Sequence, residues 1–338
     1  MGNLFKNMRN LLPPSKKSLN SIKDLINFRW SLIDKKLNWI AEREELLFWF
    51  LQMQPNDSLI DTKLNFFKKI GKEPGHFKNI QLIILSIMDS FNEICIKNDL
   101  KYWLWSGTLL GAIRHEGFIP WDEDADVGMP REDFNKFKEI VKPNPRYELV
   151  DFYEAGIRPN ACGRFSKLVD KECPYPIYLD IFPFDKEFVD DHDEAAKKYY
   201  TARIPLEKEI WEKANKLGLK KESRPIEDPE IKFQMDEIFD RYIPKKQEGD
   251  SYQWGLELFK APWIKRFGGG VLLPTRIALF EDREFYVPND YIKVLNLSFK
   301  DWTKLPNDCY SLFHSNYFDF GDKDEEIEKY IKNRIIIK

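Results

Sequence analysis

Apolar positions recur at helical spacing over two stretches in the first hundred residues. Between Ile22 and Gln54, the residues Leu25, Ile26, Trp30, Ile33, Leu37, Ile40 and Ala41 form a stripe with charges between them, which predicts an amphipathic helix. Pro55-Asn56-Asp57 ends it. Such a stripe serves a partner or a second copy, although packing on its own domain is the commoner use. From Phe77 to Asn98, Ile80, Ile83, Ile84, Ile87, Met88, Phe91 and Ile94 give a broader face, wide enough to lie buried on a sheet. The period then changes. Tyr102-Trp103-Leu104-Trp105 reads as an aromatic strand, and the small-residue turn Ser106-Gly107-Thr108 opens a short apolar helix. A loop follows to Asp124-Ala125-Asp126, which period two places with both acids on one face if the run is extended. Pro130, Glu132 and Asp133 start a helix to about Val141, since proline and acids both suit a first turn. Short strands are expected at Tyr147–Asp151, Gly163–Leu168 and Tyr178–Ile181. Residues 186–260 turn charged and helical, 261–306 hold a strand pattern at Arg283–Val287, and the tail from Asp322 reads as a charged helix.

Composition narrows the function classes. The chain has 338 residues, with 43% hydrophobic and 15% aromatic residues, enough for a real core. Its net charge of −3 lacks the basic excess of a nucleic-acid binder, so no nucleic-acid partner is expected. Cys95, Cys162, Cys173 and Cys309 show no metal-type spacing and read as reduced thiols in a reducing compartment. The first twenty residues lack a secretory apolar core, and the longest uncharged runs, near Leu46–Asn56 and Asn79–Met88, read as too short to cross a bilayer. Residues 1–20 carry Lys6, Arg9, Lys16 and Lys17 and no acid, a pattern suited either to peripheral contact with an anionic membrane or to a frayed terminus. The expected location is cytoplasmic, peripheral to the inner face of a membrane.

The candidate chemistry centres on acids inside an apolar frame. Asp122, Glu123, Asp124 and Asp126 lie between Phe118, Ile119 and Trp121 on one side and Val127 and Met129 on the other. Buried carboxylates need compensation, and metal ligation is one form of it. Asp180 stands alone in Tyr178-Leu179-Asp180-Ile181-Phe182-Pro183 and would complete a three-carboxylate site with Asp124 and Asp126. Such a site suits Mg²⁺ or Mn²⁺, can clamp a phosphoryl transfer, and offers Asp180 as a base for an acceptor hydroxyl. Ser106, Gly107 and Thr108 would present backbone N–H groups to a phosphate at a helix start. Arg114, Arg164 and Lys167 are candidate phosphate contacts, and His115 a candidate orienting donor. Ser106 has no evident histidine base, and Gly268-Gly269-Gly270 lacks the Lys-Ser/Thr of a P-loop.

Three runs together resemble the LicD family, which includes bacterial phosphocholine transferases and is similar to the domain of fukutin and fukutin-related protein. They are Trp103 to His115, Gly117 to Asp126, and Leu179-Asp180-Ile181-Phe182-Pro183. A looser match follows at Phe280 to Pro288 and Asp301 to Pro306; where the family often has a Tyr-Gly-Asp run, this chain reads Leu297 to Trp302. The resemblance implies an α+β, nucleotidyltransferase-like fold: a small mixed β-sheet flanked by helices, here with N-terminal helices and a helical insertion. It implies Mg²⁺-dependent transfer of a phospho-substituent (phosphocholine, a polyol phosphate or similar) from a CDP-linked donor to a hydroxyl of a cell-surface or lipid-linked glycan, with release of CMP. Lipopolysaccharide, capsule and teichoic acid are acceptors of that class. It makes Asp124, Asp126 and Asp180 the metal ligands and puts Ser106-Gly107 at the donor-phosphate turn. The expected organisation is a helical extension over 1–75, a catalytic core over 76–185, a helical insertion over 186–260, and a final part of the catalytic domain with a terminal helix over 261–338. Two other readings stand beside it: a nucleotidyltransferase that releases pyrophosphate, and a non-catalytic scaffold of a glycan-assembly complex.

Overall fold

The computed structural model describes residues 16–70, 76–154, 162–188, 192–219, 224–258, 266–299, 301–305 and 324–334. The basic segment ahead of Lys16 and Cys309 therefore lie outside the described residues. The chain divides into two units, residues 1–66 and 67–338.

The first unit is built on α1, Lys16–Gln52, and the start of α2, Leu59–Lys69. Ser58 begins α2 with a reciprocal cap: its Oγ accepts from the Asp61 N–H at 3.2 Å, and the Asp61 carboxylate accepts from the Ser58 N–H at 3.3 Å. Near the end of α1, Phe48 and Trp49 meet Phe66 edge to face, each with ring centroids 5.2 Å apart. The stripe read from the sequence is helical but uncovered: every residue from Lys23 to Glu44 is exposed.

The second unit is α+β, with a mixed central sheet flanked by helices. The sheet runs β1-β2-β5-β4-β3-β6, from β1 (Trp103–Leu104), β2 (Asp126–Pro130), β3 (Tyr147–Glu154), β4 (Gly163–Asp170), β5 (Tyr178–Glu187) and β6 (Arg224–Pro225). Among the described residues, only β2 and β5 pair in parallel. The broad-faced helix α3, His76–Lys97, buries Ile80, Ile83, Ile84, Ile87, Met88 and Phe91. Its Lys78–Lys97 stretch is, among the described residues, the one helix long and apolar enough to cross a membrane, and half of that stretch is buried inside the protein. α4, Ser106–His115, joins β1 to the acidic loop, and α5, Arg131–Val141, follows β2. Phe91 of α3 and Phe137 of α5 meet at 5.1 Å, so these helices pack together. Ser90 of α3 is also hydrogen bonded to Tyr147 of β3 at 2.6 Å.

The stretch 186–260 is helical only in part. α6, His192–Lys216, and α7, Pro229–Tyr242, share a core of Tyr199, Leu206, Ile210, Met235, Ile238 and Phe239 with Tyr153 of β3. Its end returns to the sheet as β7, Ser251–Trp254, which pairs with β5 and with β8, Phe267–Gly268. Four residues carry too short an alternation to be told from a loop. The strand expected at Arg283–Val287 is β10, and its partner β9, Arg276–Phe280, completes a separate hairpin. α8, Tyr291–Phe299, and α9, Asp324–Arg334, follow.

Candidate active site

Register brings the candidate acids together. Asp126 and Asp180 are Cα partners on the parallel strands β2 and β5. Side chains at paired positions leave the same face, about 5 Å apart. On the next strand Lys167 is the partner of Asp180, so Asp126, Asp180 and Lys167 form one row across three strands. The Lys167 ammonium donates to Asp180 Oδ1 at 2.5 Å and lies 3.7 Å from the centre of the Tyr178 ring. The strand begins at Asp126, and Asp124 lies in the loop just ahead of it.

The loop is fixed from several sides. Thr108, in the first turn of α4, accepts the Asp126 N–H on its hydroxyl at 2.8 Å, while the Trp105 N–H donates to Asp126 O at 2.9 Å. The Asp180 N–H donates to Ala125 O at 2.9 Å. Gln81 of α3 donates to Asp122 O at 2.8 Å. The β9–β10 hairpin holds the loop entry: the Phe118 N–H donates to Glu281 Oε1 at 3.0 Å and the Glu281 N–H to Glu116 O at 2.7 Å. Neither Gln81 nor Glu281 was marked as a site residue in the sequence. The Phe280-Glu281 part of the looser family match does hint at the second.

The turn expected to cradle a phosphate has unusual geometry. Ser106 sits at φ 47°, in the left-handed region, which costs a non-glycine residue on the order of 1–2 kcal/mol. No side-chain cap hydrogen bond is made at Trp105, the residue before α4, and the first N–H groups of a helix have no partner within it. A Cβ on Gly107 would lie 2.9 Å from Asp122 Oδ2, so any other residue there would push the Asp122 carboxylate aside.

The electrostatics follow from crowding. Burial first, and then the Asp124, Asp180 and Asp122 carboxylates, push the Asp126 pKa well above the ordinary carboxylate range. Asp122 is raised by burial and by Asp124, with which it shares a hydrogen bond. Asp180 is raised by burial, with Lys167 opposing. The donor set is all carboxylate oxygen, the hard ligand type that suits Mg²⁺ or Mn²⁺, and it carries an excess of negative charge that a dication would neutralise. Among the described residues no three His, Cys, Asp or Glu side chains are drawn together at ion-binding spacing. Loading an ion would therefore require side-chain movement, for which Asp124 on its loop is the best placed.

The other expected contacts are placed differently. Arg164 and Lys167 lie three apart on β4, so period two sends them to opposite faces of the sheet. Arg164 pairs with Asp236 at 2.8 Å and Asp240 at 2.7 Å on α7. Arg114 and His115 end α4, about 12 Å along the axis from Ser106. The Arg114 guanidinium donates to Trp302 O at 2.9 Å and lies 4.5 Å from the centre of the Phe67 ring; His115 packs edge-on to Phe67 and Trp121. The row of Asp126 and Asp180 shares its face with Phe182, which stacks on Trp254 at 5.2 Å. That aromatic wall was not foreseen.

A mixed sheet with paired carboxylates on adjacent parallel strands, beside an uncapped helix start, defines a nucleotidyltransferase-like protein. Residues 99–217 match the family model described as LicD/FKTN/FKRP, nucleotidyltransferase domain. Over this domain the chain is similar to the LicD family. It is 35% identical over 115 residues to the lipopolysaccharide cholinephosphotransferase LicD of Haemophilus influenzae, covering 31% of this chain and 43% of that protein. It is 36% identical over 152 residues to an uncharacterized protein of Rickettsia prowazekii, covering 42% and 53%. Over 41 residues it is 46% identical to the human ribitol 5-phosphate transferase FKRP, covering 12% and 8%. The chain thus spans about half the length, or less, of these relatives.

Proposed function

We propose that the chain transfers a phospho-substituent from a CDP-linked donor to a hydroxyl of a glycan and releases CMP. The observation that carries this reading is the register pairing of Asp126 with Asp180, with Asp124 beside them and Lys167 on the next strand. Two relatives are named for moving different phospho-substituents, choline phosphate and ribitol 5-phosphate, which supports the reaction class and leaves the transferred group open. Asp124, Asp126 and Asp180 would hold Mg²⁺ or Mn²⁺. When bound, the ion supplies neutralising charge for the donor diphosphate and the departing CMP. The N–H groups of Ser106, Gly107 and Thr108 would orient the donor phosphate, where a helix start favours negative charge. Lys167 opposes the upward pull of burial on Asp180, which is placed to accept the proton of the attacking hydroxyl. A lipid-linked glycan as acceptor would put the enzyme at the cytoplasmic face of a membrane.

The test is a panel of CDP-linked donors with a native glycan acceptor, followed for CMP. Metal-dependent CMP release that falls at least a hundredfold in Asp126→Asn and in Asp124→Asn supports the proposal. Pyrophosphate release from a nucleoside triphosphate would replace it with nucleotidyl transfer. Full turnover in both variants would remove the carboxylates from the mechanism. A chain that turns over nothing and binds neither Mg²⁺ nor a cytidine nucleotide would be the scaffold.

A further inference from the structure

The uncovered helix α1 has an ordered distribution of charge. Arg29, Lys36 and Arg43 recur every seven residues and so lie in one line, drifting about 20° per repeat. A row of Leu25, Leu32, Trp39 and Leu46 flanks that line on one side, and a row of Ile26, Ile33, Ile40 and Leu47 on the other. All eleven side chains are exposed. Trp30, Phe28, Phe50 and Leu51 widen the same face and are 60%, 60%, 64% and 75% exposed. The acids are elsewhere: Asp24, Asp34, Glu42 and Glu45 lie on the opposite side with Asn27, Ser31 and Asn38, and Glu44 alone borders the apolar face.

We propose that α1 lies flat on an anionic lipid surface, with the rows around Arg29, Lys36 and Arg43 facing the bilayer. Charge decides the occupant. In a dimer through this face the line of cations would meet the same line on the second copy, and like charges in contact oppose association. A headgroup layer of negative lipids complements the line, and the long Arg and Lys stems can bury their methylenes while their heads stay among the headgroups. Tryptophan at the flank suits the headgroup level, and the Arg43 guanidinium already lies 4.0 Å from the centre of the Trp39 ring. The polar back, rich in acid, faces water. With mixed charges along its length, α1 fits the surface of a bilayer and not its interior.

The experiment is flotation of the full chain with vesicles of phosphatidylcholine alone and of phosphatidylcholine with 30 mol% phosphatidylglycerol, with sedimentation velocity in parallel. The chain is expected to float with the anionic vesicles, to remain free of the neutral ones, and to sediment as a monomer. The triple variant R29E/K36E/R43E should lower the partition coefficient at least a hundredfold, because each basic residue near such a surface contributes about fivefold. Ile33→Gln with Ile40→Gln should weaken binding while leaving the salt dependence intact. Equal binding to both vesicle types, binding unchanged in the triple variant, or a dimer abolished by the Ile33 and Ile40 changes would each overturn the proposal. The altered side chains are all exposed on a helix, so loss of binding with unchanged helicity reads on the surface and not on folding.

Discussion

Replacing Asp126 with Asn should stabilise the protein while disabling it. Asp126 stands about 5 Å from Asp180, its register partner, with Asp124 and Asp122 also near. At an effective dielectric of about 20, each like-charged pair at that distance costs roughly 3 kcal/mol. Burial and its neighbours raise the folded Asp126 pKa above the unfolded one, which relieves part of this cost. A raised carboxyl contributes stability that is fully present below the ordinary carboxylate range and is lost as pH climbs through the folded value. The loss is about 1.4 kcal/mol for each pH unit in which the native carboxyl keeps a proton and the unfolded one does not. The amide has no such proton to lose. Asp126→Asn should therefore melt higher than the parent chain, and the gap should widen from pH 5 to pH 8, by about 2 °C or more for each kcal/mol in a unit of this size. Thermal denaturation at both pH values, without and with Mg²⁺, is the assay. Added Mg²⁺ should raise the parent melting temperature and narrow the gap, since an ion bound only to the folded state stabilises it. A variant that melts lower than the parent at pH 8, or a gap independent of pH, would refute the crowding argument.

Four further outcomes follow from the same geometry. Arg131→Met should cost about 3–5 kcal/mol in denaturant unfolding, because it strands Asp185 and Glu257, both buried and both bonded to its guanidinium. Ser106→Gly should gain on the order of 1 kcal/mol by removing the left-handed penalty, and a loss of stability would show that its side chain matters more. Gly107→Ala should leave melting nearly unchanged but cut turnover at least tenfold, since the new methyl displaces the Asp122 carboxylate; unchanged kcat/KM would argue against the turn as part of the site. Arg164→Ala should lower stability with little change in KM for the donor, because Arg164 serves Asp236 and Asp240 on the far face; a donor KM raised tenfold would return it to the active site.

Legibility in the sequence followed the reach of each interaction. Asp124, Asp126 and Asp180 were visible as acids in apolar frames, the helix around Ile80–Phe91 as a periodic stripe, and that at Arg131–Val141 by the proline and acids of its start, because these signals are local. The opposite placement of Arg164 and Lys167 was also present in their odd spacing on one strand, although both were first grouped by charge alone. What could not be read is pairing across long separations. Arg114 meets the carbonyl of Trp302, 188 positions later, and Phe118 meets Glu281, 163 positions later. No window along the chain contains both partners. β7 escaped notice for a different reason: its place depends on the open edge of β5 beside Phe184 and Glu187, not on its own four residues.

Two acids that hold the fold shift opposite to those of the candidate site, although Asp185, also bonded to Arg131, is raised by its burial. Glu257 and Asp236 are lowered despite burial, because Arg131 holds the first, and Lys232, Tyr153 and Arg164 hold the second. Their charge is satisfied within the protein, and their contribution to stability is present above the ordinary carboxylate range and lost only as pH falls through their depressed values. Asp122 and Asp126 are raised, and among the described residues neither has a salt bridge. A fold that merely needed polar groups there could have paired them, as it does on the other face of the same sheet. Leaving Asp122, Asp124, Asp126 and Asp180 with Lys167 as the ion-pair cation keeps a negative field at the start of β2 and β5, next to the Ser106 turn. A negative field of that kind repels a bare diphosphate and welcomes one that arrives with a divalent cation. On the proposed function, that charge would favour the metal-bound form of the donor before any contact to the transferred group is made.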